Sequence, residues 1–369
     1  DPDQITVTWK TATDEHGNKF EDGETYELRY PEVHMPNTAV YVYNQGYRDP
    51  DGLLESEGYE VKLENTIGVY GSGLLDAIPD QDIIDQYAKE AADGKLKNGL
   101  NPAFWDRGFA TSGYYKNDPQ WGPKRFTYAL TRGPIMDGAG ANAIWNITNV
   151  TRSDRKYHYL DLNGTIYAEY ASKDPEVQAA SGKTEDELYN YLTSKELPAE
   201  MTDEEFTQVM VWHRGLAIPA ARGVNDEKVL RGKELFTQIG CDYCHRPTWT
   251  TGSDEVRDPN NFPLTASMPR YPNQKIWPYT DMIQHKLCME NDIRTGWCRT
   301  TPLWGRGLHR KATGDAYEAR MHDTRARNVI EAIMWHGYSN QSDAYWPTQQ
   351  FYKLNKEDRD AVVAFINAI

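Results

Sequence analysis

The chain has 369 residues and a mass of 42.3 kDa, and its 40 basic and 55 acidic side chains leave a net charge of −15. That balance excludes a nucleic-acid binder, which needs a basic face, and no run approaches the 18 or so apolar residues of a membrane span. With 39% hydrophobic residues, 24 Tyr and 11 Trp the composition is that of a globular protein of two or three domains, and the opening Asp1-Pro2-Asp3-Gln4 reads as that of a mature or trimmed form rather than a signal peptide.

In chain order, the first seventy residues alternate β-prone runs with turn signals. Ile5-Thr6-Val7-Thr8-Trp9 and Thr25-Tyr26-Glu27-Leu28-Arg29-Tyr30 flank the polar Asp14-Glu15-His16-Gly17-Asn18, which predicts hairpins. From Gly71 the pattern turns helical: Pro79-Asp80 opens a helix through Asp82–Ala88, and further helices are predicted near 124–132, 139–150, 184–194 and 202–217. The span 95–123 reads as a long aromatic loop. Asn225 to Phe236 reads as a capped amphipathic helix, a Pro-rich stretch follows from 247 to 278, and helices are predicted near 324–336 and 355–368. The expected organisation is a β-hairpin-rich segment (1–70), a helical and long-loop middle region (71–223) and a C-terminal domain (224–369).

The four cysteines are Cys241, Cys244, Cys288 and Cys298, and the first two belong to Cys241-Asp242-Tyr243-Cys244-His245. A C-x-x-C-H is the attachment signature of a c-type haem: two thiols on one turn each add to a haem vinyl group, and the next histidine brings its imidazole to the iron. A thioredoxin-like motif would follow an apolar strand, and a zinc site would need a second close pair; nine residues separate Cys288 from Cys298. One covalently bound haem c is therefore expected. Covalent haem attachment takes place outside the bacterial cytoplasm, which implies a periplasmic or extracytoplasmic, including cell-surface, location where disulfides persist. There Cys288 and Cys298 are expected to close a small loop worth about 2–3 kcal/mol, the alternative being two buried free thiols.

A helix, a haem motif, a wandering loop and a C-terminal helix are the parts of a cytochrome c-like domain, with Val362, Val363, Phe365 and Ile366 facing the first helix. The fold class read from the sequence is mainly α with a β-hairpin-rich N-terminal part and this C-terminal cytochrome c-like domain.

The stretches Gly240–Gly252, Trp277–His285, Arg299–Leu308 and Met321–Gly337, in that order, resemble the C-terminal half of the di-haem c-type cytochrome peroxidases often labelled thiol oxidoreductases. Gly73–Pro79 and Phe126–Arg152 resemble the middle region of the same family. The resemblance implies a haem redox protein. Members carry two C-x-x-C-H motifs, one haem reacting with peroxide and the other passing electrons, and the haem of this chain resembles the electron-passing one. A peroxidase-type activity then depends on a second haem on a segment outside this sequence. The alternative is a non-enzymatic single-haem electron carrier, or a subunit of a larger electron-transfer assembly, whose redox partner is another protein such as a second cytochrome. No catalytic residue is named by the sequence.

For the second axial position the resemblance favours Met321, in Arg320-Met321-His322-Asp323, because related peroxidases show a similar run. Met268, in Ala266-Ser267-Met268-Pro269, resembles the loop methionine of small cytochromes c; His285 and an open iron are the other candidates. Arg299, Arg306, Arg325 and Arg327 are candidates to pair with a haem propionate, or else surface ion-pair partners. Tyr243, Trp249, Trp277, Tyr279 and Trp304 are candidates to shield the ring or simply to pack. Asp49, Asp51 and Asp137 are weak calcium candidates, because no spaced ligand loop surrounds them.

Overall fold

The computed structural model describes residues 5–34, 62–65, 68–104, 122–130, 132–138, 168–169, 171–193, 201–256, 258, 261–293 and 296–369. These residues are mainly α-helical, with three two-stranded antiparallel sheets. In chain order the elements are β1 (Thr6–Ala12), β2 (Leu28–His34), α1 (Ser72–Asp76), α2 (Asp80–Asp93), α3 (Ile135–Gly138), α4 (Pro175–Ser181), α5 (Glu185–Leu192), α6 (Asp203–Gly215), α7 (Glu227–Gln238), β3 (Trp249–Thr250), β4 (Lys275–Ile276), β5 (Gln284–Lys286), β6 (Trp297–Arg299), a 3-10 turn (Arg306–Leu308), α8 (His309–Thr313), α9 (Val329–His336), α10 (Tyr345–Tyr352) and α11 (Lys356–Ala368). Among them no helix is long and apolar enough to cross a membrane.

Capping chemistry fixes several helix starts. Thr184 and Thr202 form capping boxes with Glu187 and Glu205, and the side chains of Asn328 and Asn355 accept from the backbone N–H groups of Glu331 and Asp358. The predicted helix at 202–217 is thus α6, and that at 355–368 is α11.

Two expected helices differ. Residues 122–130 are irregular, with Phe126 bridging to Arg132 and positive φ at Thr127 and Leu130. The buried Arg125 guanidinium donates to the carbonyls of Leu75, Asp76 and Ile78 and pairs with Asp80, and these tertiary bonds override the local preference for helix. The helix expected from 324 begins only at Val329, because Arg320 and Ala326 pair across a tight loop and Arg325 bonds back to Asp323. The helix expected at 139–150 lies outside the described residues.

The largest core joins α7 and α11, which cross where the backbone of Gly232 meets that of Ala361. A Cβ at Gly232 would lie 1.9 Å from Ala361 O, so the approach requires glycine. Phe236 packs edge-on against Phe365 with ring centres 5.3 Å apart, and Val362, Phe365 and Ile366 are buried in this contact. The loop that follows β1 joins the same core through Phe20 and Tyr26, and β2 joins it through Leu28. A second core packs α1, α2 and Phe104 on Trp249, Ile276, Met282 and Trp304, and a third joins α3 and α6 to Phe262 and Met268.

The disulfide expected between Cys288 and Cys298 does not form, and both thiols are free. Cys298 stands opposite His285 in the β5–β6 pair and turns its sulfur into the core toward Asp292 Oδ1, at 3.8 Å. Cys288 lies just past β5 with a φ of +52°, and its sulfur faces Gln341 O, also at 3.8 Å. The two side chains diverge.

Candidate functional site

The site begins at the end of α7. Gly240, with a φ of +82°, stops the helix, and Cys241 to His245 form one further turn closed by the His245 N–H on Cys241 O at 3.0 Å. Cys241, Cys244 and His245 all open onto one cavity of about 1170 Å³. His245 Nδ1 donates to Tyr279 O at 3.1 Å, which fixes the tautomer and leaves Nε2 as a bare lone pair. Burial, then the neighbouring His336, hold the imidazole neutral with its pKa down at about 4. Burial likewise pushes the thiols of Cys241 and Cys244 up, to about 12 and about 11.

The apolar wall includes Phe236, Leu303, Trp304, Val329 and Ile366. The same lining carries the charged or ligand-bearing side chains Arg299, Met321, His322 and His336. Arg299 is 2% exposed, and its Nε and Nη2 have no hydrogen-bond partner among the described residues. Burial lowers its pKa to about 10, which still leaves a cation at neutral pH. A buried guanidinium with idle donors facing a cavity calls for an anion. His322 donates from Nε2 to Arg299 O at 2.9 Å, and burial drops its pKa to about 3.

Behind Cys244 lies a buried polar cluster. His285 Nε2 donates to Asp281 Oδ2 at 2.7 Å, Glu90 Oε2 lies 3.7 Å from the same nitrogen, and Gln86 donates to Glu90 Oε1 at 2.6 Å. Donor atoms of Cys244, Asp281 and His285 lie within 4.8 Å of one another. Burial opposes a charge on His285, but Cys244 and Asp281 overcome it and hold its proton well above the usual imidazole range.

The structure thus brings Cys241, Cys244, His245, His285, Met321 and Trp304 to one cavity. It places other candidates elsewhere. Met268 packs with Phe206 and Phe262 in the third core, away from that cavity. Arg325 is sewn to Asp323 and to the carbonyls of Glu290 and Asn291, and stacks over Trp335, while Arg327 pairs with Glu331 and Glu27. Arg306 lines the cavity but spends a nitrogen on Ala319 O. Tyr243 also lines it, Tyr279 supports His245 through its carbonyl, Trp249 is buried under Arg246, and Trp277 is exposed. Asp49, Asp51 and the side chain of Asp137 lie outside the described residues. Sequence reasoning named no role for Glu90 or His336. A lone histidine closing an apolar helix, as in Ile333-Met334-Trp335-His336, is the signal that marks the second; Glu90, in an acidic amphipathic helix, carries none.

A neutral imidazole whose Nε2 is free of hydrogen bonds among the described residues, two thiols on its turn, a large apolar cavity and a buried cation with idle donors fit a haem, and the class so defined is a haem-binding redox protein. Residues 189–369 match the family model described as "Di-haem oxidoreductase, putative peroxidase", which supports the di-haem peroxidase-like family for this part of the chain. The match does not extend to 73–79 or 126–152. No curated protein and no solved structure matches the chain.

Proposed function

We propose that the chain is an extracytoplasmic c-type haem protein that passes electrons through one covalently bound haem, its C-terminal part folded as a cytochrome c-like domain. The observation that carries this is the Cys241–His245 turn opening into the cavity with His245 Nε2 bare. The crossing of α7 and α11 at Gly232 supports the domain assignment. Cys241 and Cys244 would hold the group as thioethers, His245 Nε2 would bind its iron, and the Arg299 guanidinium would pair with a propionate. When bound, the haem supplies a one-electron ferric–ferrous couple whose potential is set by its ligands and burial. Tyr279 O orients the His245 ring through Nδ1. Phe236, Leu303 and Trp304 exclude water and lower the local dielectric. A peroxidase-type activity of the kind the family description names would draw on a second haem from outside this sequence, and the electron partner is another redox protein such as a cytochrome, which, if basic, has its approach to this acidic chain weakened by salt.

The test is a pyridine haemochrome assay of the chain matured under conditions that attach haem. One haem per polypeptide, retained after denaturation and lost in a Cys241→Ala, Cys244→Ala double variant, is the expected result. A wild-type chain without covalent haem overturns the proposal.

A further inference from the structure

His336 is the last residue of α9, and its position is fixed from several sides. Its Nδ1 donates to Ala332 O at 2.7 Å, its own carbonyl accepts from Ser342 Oγ at 2.5 Å, and Gly337 lets the helix end press on Thr348, where a Cβ would lie 2.4 Å away. His245 has the same arrangement, with Nδ1 spent on Tyr279 O. A carbonyl only accepts, so each ring keeps its proton on Nδ1 and presents Nε2 as a lone pair. Both rings line the same cavity, and their centres are 6.2 Å apart with planes inclined by 49°.

That separation has a chemical meaning. A metal–imidazole bond is about 2 Å and the ring nitrogen sits about 1.1 Å from the ring centre, so imidazoles on opposite sides of one metal have centres about 6 Å apart. A metal-bound histidine characteristically donates its other N–H to a backbone carbonyl or carboxylate, as both rings do here. Neither Nε2 has a hydrogen-bond partner among the described residues, and both rings line the cavity, so a metal held there has two free lone pairs to take.

We infer that His336 Nε2 is the second axial ligand of the haem iron, opposite His245; this rests on the haem reading above and identifies its coordination. His322 and His285 also line the cavity, each with Nε2 bonded, to Arg299 O and to Asp281 Oδ2, and with Nδ1 unpartnered among the described residues, but His336 is the ring whose centre stands 6.2 Å from that of His245. Met321 shares the cavity wall and is the competing ligand. Two-imidazole ligation gives a low-spin iron of lower potential than imidazole with thioether.

The full chain matured with haem is read by ferric absorption, electron paramagnetic resonance and near-infrared magnetic circular dichroism, beside the haemochrome count. The wild type is expected to be low-spin with the two-imidazole signature. His336→Ala is expected to keep its covalent haem but turn high-spin, with added imidazole restoring low spin. His336→Met, which keeps a ligand for the fold to close upon, is expected to acquire the thioether–iron charge-transfer band and a higher potential. A wild type showing that band and losing it in Met321→Leu, a high-spin wild type, or a His336→Ala spectrum unchanged from wild type each overturns the assignment while leaving the haem reading intact. A haemochrome count of zero in the wild type instead removes the haem reading, and the ligand with it.

Discussion

Glu90 sits 2% exposed on α2, one oxygen held by Gln86 and the other 3.7 Å from His285 Nε2 with no hydrogen-bond partner among the described residues, close to Asp281. Burial, then the charge of Asp281, push its pKa from 4.5 up to about 8. Folded protein therefore keeps a proton that the unfolded chain releases at the ordinary carboxylate pKa, and stability falls as pH rises through the window from 4.5 to about 8. Below that window both states are protonated and above it neither is, so the slope is confined to it. Glu90→Gln, which mimics the protonated form, is expected to flatten this slope and to be the more stable protein above neutral pH; urea midpoints at pH 5 and pH 8 check it, and equal slopes in both proteins would show that Glu90 is not the titrating group. The residue was not legible in the sequence because its signal is tertiary: nothing in Gln86-Tyr87-Ala88-Lys89-Glu90 says that this face of the helix turns toward Asp281. Cys241, Cys244 and His245 were legible because their chemistry is written in a five-residue spacing. Arg299 and Arg325 look alike in sequence, and only the partners they meet, idle donors for one and Asp323 for the other, separate them.

At the scale of elements, the helices with a side-chain cap, α6 and α11, and α7, whose Asp226 makes no capping bond but whose apolar stripe is clear, were legible to within a few residues. α6, α7 and α11 stand at 203–215, 227–238 and 356–368, against expectations of 202–217, 225–236 and 355–368. The segments that failed are those where an arginine reaches another part of the chain, as Arg125 does at 125 and Arg325 at the loop before α9, and periodicity is blind to such bonds. The α7–α11 crossing was also legible in outline, from the apolar face at Val362 to Ile366, but not its depth. Gly232 has φ in the ordinary helical range and no conformational need to be glycine; what forbids a side chain is Ala361 O at 1.9 Å. Gly232→Ala improves helix propensity by about 1 kcal/mol and yet is expected to lose about 1–3 kcal/mol net, because backbone cannot swing aside as a flexible side chain can. Since His245 follows α7 by one turn, the same shift moves the imidazole relative to α9. A thermal midpoint at or above wild type would mean that the helices part without cost.

On the scale of the whole molecule, the hairpin-rich segment and the C-terminal part, although far apart in sequence, share one hydrophobic core. Arg359 on α11 is 1% exposed; it stacks on Phe20 at 3.9 Å and bonds Asp22 at 2.6 Å and Glu24 at 2.7 Å, while His16 stacks on Tyr352 with ring centres 3.6 Å apart. Composition shifts suggested boundaries near 70 and 223, and such shifts report where the local pattern changes, not which surfaces meet. The shared core makes residues 5–34 and the C-terminal helices one cooperative unit. Arg359→Ala removes the stacked guanidinium and its stem but leaves Asp22 and Glu24 able to turn to water, so the expected cost is moderate, about 1–3 kcal/mol. Its form is the sharper expectation. Fluorescence of Trp9, on the first strand, and absorbance of a haem held at Cys241 are expected to report one coincident unfolding transition in the wild type and one coincident, earlier transition in Arg359→Ala. If the Trp9 signal, isolated by Trp9→Phe difference, moved to lower denaturant while the haem signal stayed in place, the hairpin would be an independent flap and the C-terminal core would close without it.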